Sequence, residues 1–357
     1  MSIDAIVRPE IATLKAYVTA EQVSATVRLN ANEAPHSPWQ PDTRDGLNRY
    51  PEIRPRRLQA RLAQLFDVDA ARLLATRGSS EAIDALMRAF CRPYTDNIVV
   101  TPPTFSMYRV YADVQAAATI NVPLRAGNDF ALDTESILKA CTPETKLVFV
   151  CSPNNPTGAL VPRDDILALV QGRAAQSLVV VDEAYLEFSG ARSVADEIGR
   201  YDNLVVLRTL SKAWGLAGVR CGALLASSKV IAMLERVLAP YSFSTPATDC
   251  LLEALDSTRV PDARQLVEQI IAERGRLEQR LARLDCVRHI WHSDSNFLLV
   301  QFDDLAAVHR RVSKARILIR EFAGDSTLDH CARITIGDPD ENDMLLAALA
   351  NGAEETG

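Results

Sequence analysis

Lys212 is the leading candidate for a catalytic residue in this sequence. It is one of six lysines, against 33 arginines, and it alone lies just beyond the end of a predicted strand, Leu204–Arg208. Gly215, Gly218 and Gly222 come soon after it, and glycines let a backbone approach a ligand closely. An amine held in such a place can act as a nucleophile or a Schiff-base partner. The pattern favours this role over that of a solvated surface lysine.

Asp182 is the second candidate, because it ends the valine-rich run Leu178–Asp182 and is expected near the floor of a sheet. A buried carboxylate is unfavourable unless a cation or strong donors pair with it. The ring nitrogen of pyridoxal phosphate is such a cation, and the pairing makes the ring an electron sink. A helix N-cap is the alternative role for an aspartate at such a turn. Asn155 and Tyr185 favour the cofactor, since they can hold its phenolic oxygen.

The phosphate of that cofactor needs its own donors, and several residues offer them. Arg220 supplies a charged fork and Ser211 a hydroxyl. Ser79 and Ser80 lie where a helix is predicted to begin, and the free N–H groups of a helix N-terminus attract phosphate. An ordinary helix start with the same Gly-Ser sequence is the alternative. Phe105, which follows another predicted strand, either stacks on a flat ring or packs in the core.

Short β-branched runs alternate with helix-length segments from about residue 55 to 240, which predicts βαβ units around a mostly parallel sheet. Ligands of such sheets bind outside the carboxyl ends of the strands, where the polar residues above are found. The predicted strands are Asn97–Thr101, Thr119–Leu124, Leu147–Cys151, Leu178–Asp182, Leu204–Arg208 and Gly222–Ala226. Helices are predicted over Glu81–Cys91, with Ser79 or Ser80 as N-cap, and over Asp164–Gln171.

The chain is predicted to have an arm and two domains. Residues 1–45 contain four prolines and little periodicity, so we expect an extended arm that includes part of the small domain. Residues 46–245 are expected to form the large α/β domain. Residues 246–357 indicate a smaller α+β domain, with a long helix over Val260–Leu284 and strands at Asn296–Phe302, Arg316–Arg320 and Arg333–Ile336.

Composition excludes several classes of protein. The 357 residues are 48% hydrophobic and 24% charged, which is ordinary globular usage. A net charge of -7 has the wrong sign for binding nucleic acid or an anionic membrane. No apolar stretch approaches the length of about 18 residues that spans a bilayer, and the first ten residues lack the apolar run of a signal peptide, so we expect neither membrane insertion nor secretion. Seven scattered cysteines make no zinc pattern and indicate the reducing cytoplasm, so we expect no metal.

Three motifs in a fixed order carry a resemblance. Ser152–Gly158 reads Ser-Pro-Asn-Asn-Pro-Thr-Gly, Asp182–Tyr185 reads Asp-Glu-Ala-Tyr, and Thr209–Lys212 reads Thr-Leu-Ser-Lys, with Gly-Val-Arg-Cys-Gly at Gly218–Gly222. This series resembles the fold-type I aminotransferases that use pyridoxal phosphate. The resemblance extends to the histidinol-phosphate aminotransferase family over nearly the whole length, through residues 29–33, 47–52, 102–105 and 333–337.

The resemblance implies a role for each candidate residue. Lys212 forms the imine with the cofactor, Asp182 pairs with the ring nitrogen, and Phe105 stacks on the ring. The ring oxygen is bound by Asn155 and Tyr185. The phosphate is held by Ser79, Ser80, Ser211, Arg220 and, from the neighbouring subunit of a homodimer, Tyr50. The expected substrate contacts are Tyr17, Asn32, Arg320 and Arg333.

Two departures from the commoner family pattern bear on the cofactor. Phe105 replaces a frequent tyrosine and keeps the stacking face without the hydroxyl. Ser79 and Ser80 replace a common Ala-Asp pair, so backbone N–H and hydroxyl groups are expected where the family often has a carboxylate. Neither departure touches Lys212 or the expected partners of the ring.

The implied reaction is reversible transamination between histidinol phosphate and 2-oxoglutarate, giving imidazole acetol phosphate and glutamate, a step of histidine biosynthesis. Lys212 is expected to be both anchor and general acid–base group. One site must then accept a carboxylate and a phosphate, and the arginine fork of Arg333 or Arg320 suits both anions, unless these two arginines merely pair with surface acids. An aromatic aminotransferase or a threonine-phosphate decarboxylase on the same cofactor stays open, as does a regulatory domain without turnover.

Overall fold

The computed structural model describes residues 3–16, 28–39, 46–322, 324 and 326–350. The strands of these residues are β1 (Leu73–Thr76), β2 (Asn97–Val100), β3 (Ala118–Asn121), β4 (Thr145–Cys151), β5 (Leu178–Asp182), β6 (Leu204–Thr209), β7 (Gly222–Ala226), β8 (Val287–Ile290), β9 (Phe297–Phe302), β10 (Arg320–Glu321) and β11 (Cys331–Thr335). The α-helices are α1 (Pro9–Thr13), α2 (Arg56–Leu65), α3 (Ser79–Phe90), α4 (Met107–Gln115), α5 (Thr134–Ala140), α6 (Arg163–Gly172), α7 (Ser228–Glu235), α8 (Thr245–Ala254), α9 (Val260–Leu281), α10 (Leu305–Lys314) and α11 (Pro339–Ala350).

The larger sheet has seven strands in the order β1-β7-β6-β5-β4-β2-β3 within the described chain. Strands β2 to β6 run parallel, while β7 runs antiparallel to both of its neighbours. The prediction of a mostly parallel sheet is therefore confirmed. The predicted strand Thr119–Leu124 is longer than β3, which ends at Asn121, although the backbone N–H groups of Val122 and Leu124 still donate to the carbonyls of Val100 and Pro102.

Helices cover both faces of this sheet, which explains why its strands are apolar on consecutive residues. On one face, Val179 and Val206 pack in a cluster with residues of α2, α6 and α8. On the other face, Val180 and Val205 pack with residues of α1, α3, α4 and α7. Successive side chains of a strand point to opposite faces of the sheet, so two valines that are adjacent in the sequence, such as Val179 and Val180, pack in different clusters. The polar residues are left to the ends of the strands.

The smaller sheet is antiparallel, with the order β10-β11-β9-β8. It packs on α9, α10 and α11 through an apolar cluster of its own, which includes Leu277 and Val300. The predicted strand Arg316–Arg320 is wrong except at Arg320, because the chain leaves α10 through a left-handed residue, Arg316, with φ of 59°. The predicted long helix ends at Leu281. No described helix has both the length and the apolar character needed to cross a bilayer.

The described part of the N-terminal segment contains one short α-helix. Residues Pro9–Thr13 form α1, whose Ile11 is buried against the helices of the larger sheet. Arg236 fixes the end of this helix by donating to the carbonyls of Ile11 and Ala12. Further along, the buried carboxylate of Glu33 accepts hydrogen bonds from Arg49 and from the backbone N–H of residue 50, each at 2.8 Å. The domain boundaries at residues 45 and 245 stay predictions.

Candidate active site

The carboxyl ends of three neighbouring parallel strands meet at one edge of the larger sheet. Strand β4 ends at Cys151, β5 at Asp182 and β6 at Thr209, and Cys151 lies opposite Asp182 in the register. A cavity opens at this edge, as expected for a parallel sheet. Its walls bring together nine residues singled out in the sequence: Ser79, Ser80, Phe105, Asn155, Asp182, Tyr185, Ser211, Lys212 and Arg220.

Asp182 lies in the wall of this cavity and is only 2% exposed. Its Oδ1 accepts a hydrogen bond from the Ala184 backbone N–H at 3.1 Å, and its Oδ2 accepts one from the Tyr108 hydroxyl at 2.9 Å. Burial raises the pKa of Asp182 to about 6, although both hydrogen bonds and the charge of Lys212 act in the opposite direction. A carboxylate in this position gains from a cation placed against it.

Lys212 enters the cavity from the loop that follows β6. Its side chain is exposed to the open cavity, and its Nζ lies 5.5 Å from the centroid of the Tyr185 ring. The pKa of Lys212 is lowered from its ordinary value, first because the surrounding walls withhold water and then because Arg333 and Arg220 repel its charge. The charge of Asp182 acts in the opposite direction. The lowered pKa increases the fraction of neutral, nucleophilic amine.

Arg333, on β11 of the smaller sheet, contacts the cavity wall at Asn155. Its guanidinium donates to Oδ1 of Asn155, and it lies 5.3 Å from the centroid of the Phe297 ring. Asn155 in turn donates from Nδ2 to the Tyr185 hydroxyl at 3.3 Å. Burial raises the pKa of Tyr185 well above its usual value, so the hydroxyl stays neutral and keeps its proton for donation. Among the described carboxylates, none forms an ion pair with Arg333 or Arg320.

Another part of the cavity wall gathers donors for an anion. The N-cap of α3 is Gly78, with φ of 77°, and no side chain caps the helix end. The predicted N-cap, Ser79 or Ser80, is wrong, because the chain turns into the helix through a left-handed conformation that glycine adopts freely. Arg220 donates to the Ser211 hydroxyl at 3.3 Å. A Cβ at Gly78 would lie 2.8 Å from Nη2 of Arg220, so the glycine leaves room for the guanidinium.

Those of the other predicted site residues that the structure describes do not line this cavity. Tyr50 is half exposed and stacks on Tyr241, with the ring centroids 4.7 Å apart. Asn32 is exposed, with φ of 55°. Arg320 lies on β10, opposite Arg333 in the antiparallel pair. The last of these predicted residues, Tyr17, is outside the described part of the chain.

Four residues of the site were not among the sequence predictions. Cys151, Ala184 and Thr209 complete the cavity wall. Tyr108 lies behind it, fully buried in α4 and bonded to Asp182. The one sequence signal for Tyr108 is its hydroxyl, because a tyrosine hydroxyl that is buried in a core requires a hydrogen-bond partner. The partner is 74 residues away in the sequence, so the sequence around Tyr108 does not indicate which residue it is.

Comparison with known proteins gives the family. The model of aminotransferase class I and II matches residues 21–349. A histidinol-phosphate aminotransferase of Xanthomonas campestris pv. campestris is 42% identical over 354 residues, which cover 98% of this chain and 97% of that protein. Histidinol-phosphate aminotransferase 2 of Idiomarina loihiensis is 40% identical, with 97% of this chain and 98% of that protein covered.

A solved structure shares the fold. The histidinol-phosphate aminotransferase from Clostridium acetobutylicum superimposes with a TM-score of 0.77 at 22% identity, covering 85% of this chain and 90% of that one. The expected α/β fold of the fold-type I aminotransferases is therefore confirmed. By its sequence match, the chain belongs to the aminotransferase class I and II family and, within it, to the histidinol-phosphate aminotransferases.

Proposed function

We propose that this protein catalyses the pyridoxal-phosphate-dependent transamination of histidinol phosphate with 2-oxoglutarate. The observation that carries the proposal is the meeting of Lys212, Asp182 and Arg220 in the walls of one cavity at the carboxyl edge of the larger sheet. An amine, a buried acid and a guanidinium are the three groups that an aldehyde, a ring nitrogen and a phosphate require. Family membership supports the choice of substrates.

The residues of the cavity fit pyridoxal phosphate. Asp182 is a buried acid that no cationic side chain of the described residues hydrogen-bonds, and the ring nitrogen would supply a cation. Asn155 and Tyr185 would hold the ring oxygen. The uncapped start of α3 and the space that Gly78 leaves beside Arg220 suit the phosphate. When bound, the cofactor supplies a ring that withdraws electrons from the Cα of the substrate.

Lys212 would anchor the cofactor and move the proton. Because its pKa is lowered, part of its Nζ population is neutral and would be available to hold the aldehyde group of the cofactor. The same Nζ would also be placed to take up and return the proton of the substrate Cα. The Tyr185 ring, 5.5 Å from Nζ, stabilises the amine in its protonated state.

Arg333 would bind the anionic part of each substrate. Its fork suits a carboxylate or a phosphate, and its bond to Asn155 fixes its direction. Arg320 lies on the adjacent strand in direct register and would add a second positive charge. Two arginines side by side can accept the distal carboxylate of glutamate and the phosphate of histidinol phosphate in turn. Tyr17 and Asn32 are proposed as further substrate contacts on the resemblance alone.

The test is a transamination assay that pairs histidinol phosphate with 2-oxoglutarate on the holoenzyme. We expect glutamate to form, and histidinol phosphate alone to convert the visible absorbance of the lysine-bound cofactor to that of its amine form. Phenylalanine and threonine phosphate serve as competing donors. Conversion by either of these and not by histidinol phosphate would overturn the substrate assignment and leave the cofactor assignment in place.

Gly78→Ala is expected to weaken the binding of pyridoxal phosphate at least about tenfold, since the new Cβ displaces a guanidinium that bonds an anion. The backbone at Gly78, with φ of 77° and ψ of 172°, lies in a region that is essentially restricted to glycine, which adds about 1–3 kcal/mol of strain for alanine. Fluorescence titration of the apoenzyme measures the affinity. Gly127→Ala is the matched control, because Gly127 is exposed and a Cβ there meets nothing within 4 Å. Equal affinities of the two variants would contradict the phosphate role.

We also propose a cytoplasmic homodimer in which Tyr50 reaches the cofactor phosphate of the partner subunit. The described cysteines are all free thiols, which supports a reducing compartment. Tyr50 is half exposed and is held in place by its stacking on Tyr241 and by the bond from its backbone N–H to Glu33. The apolar cluster that the smaller sheet forms with α9, α10 and α11 supports a small domain, and Leu299 and Cys331 of the same sheet join a cluster of the larger sheet.

Hybrid dimers test the reach of Tyr50. A Tyr50→Phe homodimer should bind the cofactor about tenfold more weakly, because each site loses one hydrogen bond to a charged phosphate. In a hybrid of a Tyr50→Phe subunit with a Lys212→Ala subunit, the site that keeps its lysine receives Tyr50 from the partner. We therefore expect the lysine-bearing site to regain wild-type affinity. If its affinity stays as weak as in the Tyr50→Phe homodimer, Tyr50 acts within its own subunit.

A further inference from the structure

Tyr108 lies directly behind Asp182 and has no part in the reaction described so far. Its side chain is completely buried, and its hydroxyl donates to Oδ2 of Asp182 at 2.9 Å. Its ring stacks on Phe149 with the centroids 4.6 Å apart, and the ring of Phe105 meets it edge-on at 5.5 Å. These two aromatic contacts leave the hydroxyl little freedom to point elsewhere.

We propose that Tyr108 is a positioning residue: its hydroxyl holds the Asp182 carboxylate in the charged and aimed state that pairs with the ring nitrogen of the cofactor. The inference rests on the proposed function, because it assigns that partner to Asp182. Through its edge contact, Tyr108 also sets the place of Phe105, the expected stacking residue. One buried side chain thereby locates two groups that the cofactor ring would meet.

The contacts of Asp182 support this role. Within the described chain, Oδ1 is bonded by a backbone N–H, that of Ala184, and Oδ2 by a side chain, that of Tyr108. Lys212 is the cation that acts on Asp182, whereas the neighbouring Cys151 thiol is a neutral group. Desolvation works against the charged carboxylate, so a donor at 2.9 Å is a large part of what keeps it ionised.

The state of the phenol itself points the same way. Burial, and then the charge of Asp182, raise the pKa of Tyr108 well above its usual value, so the hydroxyl keeps its proton. A phenol that keeps its proton can only donate to a carboxylate. Water has no access to this fully buried position and cannot replace the donor if it is removed.

Tyr108→Phe tests the proposal, with Tyr111→Phe as control. Tyr111 lies one turn further along α4, is half-buried, and its hydroxyl bonds no described residue. We expect Tyr108→Phe to raise the dissociation constant of pyridoxal phosphate about tenfold, and Tyr111→Phe to leave it within about twofold of the wild type. In an Asp182→Asn background, Tyr108→Phe should add less than about twofold, because the charge that it supports is gone.

A second readout reports on the ring nitrogen itself. With pyridoxal phosphate labelled with ¹⁵N in the ring, Tyr108→Phe should move the bound resonance toward that of the unprotonated nitrogen. If Tyr108→Phe does not fold, 3-fluorotyrosine at position 108 keeps the shape and is a stronger donor, and should move the resonance the opposite way. An equal loss of affinity in the aspartate and asparagine backgrounds, or an unmoved resonance, would overturn the proposal.

These outcomes are separable from a failure of the proposed function. A wild-type protein that binds the cofactor but does not accept histidinol phosphate refutes the substrate assignment and leaves the role of Tyr108 standing. A wild-type protein that transaminates histidinol phosphate, with Tyr108→Phe equal to Tyr111→Phe, refutes the role of Tyr108 alone. A wild-type protein with no affinity for pyridoxal phosphate refutes both.

Discussion

Lys212→Ala is expected to reduce transamination at least about 10⁴-fold, because it removes the general acid–base group together with the covalent anchor. The visible absorbance of the lysine-bound cofactor should vanish as well. The fold should persist with a change in unfolding free energy of no more than about 0.5 kcal/mol, since the side chain faces the open cavity. Removing its charge also relieves the repulsion from Arg333 and Arg220.

Lys229→Ala is the matched control for this prediction. Lys229 is exposed and pairs with Asp202 at 3.2 Å on the surface, so its loss should leave activity and absorbance unchanged. Borohydride reduction of the holoenzyme, followed by peptide mapping, locates the anchored residue directly. A label on any lysine other than Lys212, or full activity of Lys212→Ala, would remove the foundation of the proposed mechanism.

The parallel strands could be predicted because each carries its own pattern. Strands β4, β5 and β6 are buried on both faces, so they are apolar on consecutive residues and are followed at once by polar residues. Strand β1, Leu73–Thr76, was missed because its burial comes from its antiparallel pairing with β7, about 150 residues further along the chain. Three apolar residues and a threonine, without that partner, do not distinguish a strand from a helix end.

The site residues that could be predicted are likewise those marked by a local pattern, and the others depend on contacts between distant parts of the sequence. Asp182, Asn155 and Lys212 follow strand ends, and the topology of a parallel sheet brings such positions to one edge. The contact of Arg333 with Asn155 spans 178 residues and depends on how the two sheets pack. No local pattern encodes that packing. Tyr108 could not be predicted for the same reason, since its contact with Asp182 spans 74 residues and α4 is a helix with only Tyr108 and Ala112 buried.

Asp182→Asn should abolish catalysis and stabilise the apoenzyme. Asparagine is neutral and leaves the ring nitrogen unprotonated, which removes the electron sink, so we expect kcat to fall at least about 10³-fold. In the apoenzyme, however, the carboxylate of Asp182 is buried without the cation that the cofactor would supply. Asp182, which the reaction needs, is therefore expected to lower the free energy of unfolding of the apoenzyme.

The pH dependence of this stabilisation follows from the pKa of Asp182. Burial raises that pKa from 3.8 to about 6 in the folded protein. Below pH 3.8 the carboxyl is protonated in both the folded and the unfolded state, so it carries no penalty. Between the two values the unfolded state ionises first, and folding stability falls as the pH rises. Above the folded pKa the loss is constant at about 3 kcal/mol, from about two units at 1.36 kcal/mol each.

Urea unfolding of the apoenzymes between pH 4 and 8 measures this difference. The stabilities of wild type and Asp182→Asn should converge near pH 4 and separate by up to about 3 kcal/mol above pH 6, with the asparagine variant the more stable. Asp202→Asn, an exposed site paired with Lys229, controls for the loss of one carboxylate. Saturating pyridoxal phosphate should close the gap, because the ring nitrogen compensates the charge in the wild type alone. Parallel stability curves would mean that Asp182 is not strained in the apoenzyme, and that its fitness for a cationic ring has another origin.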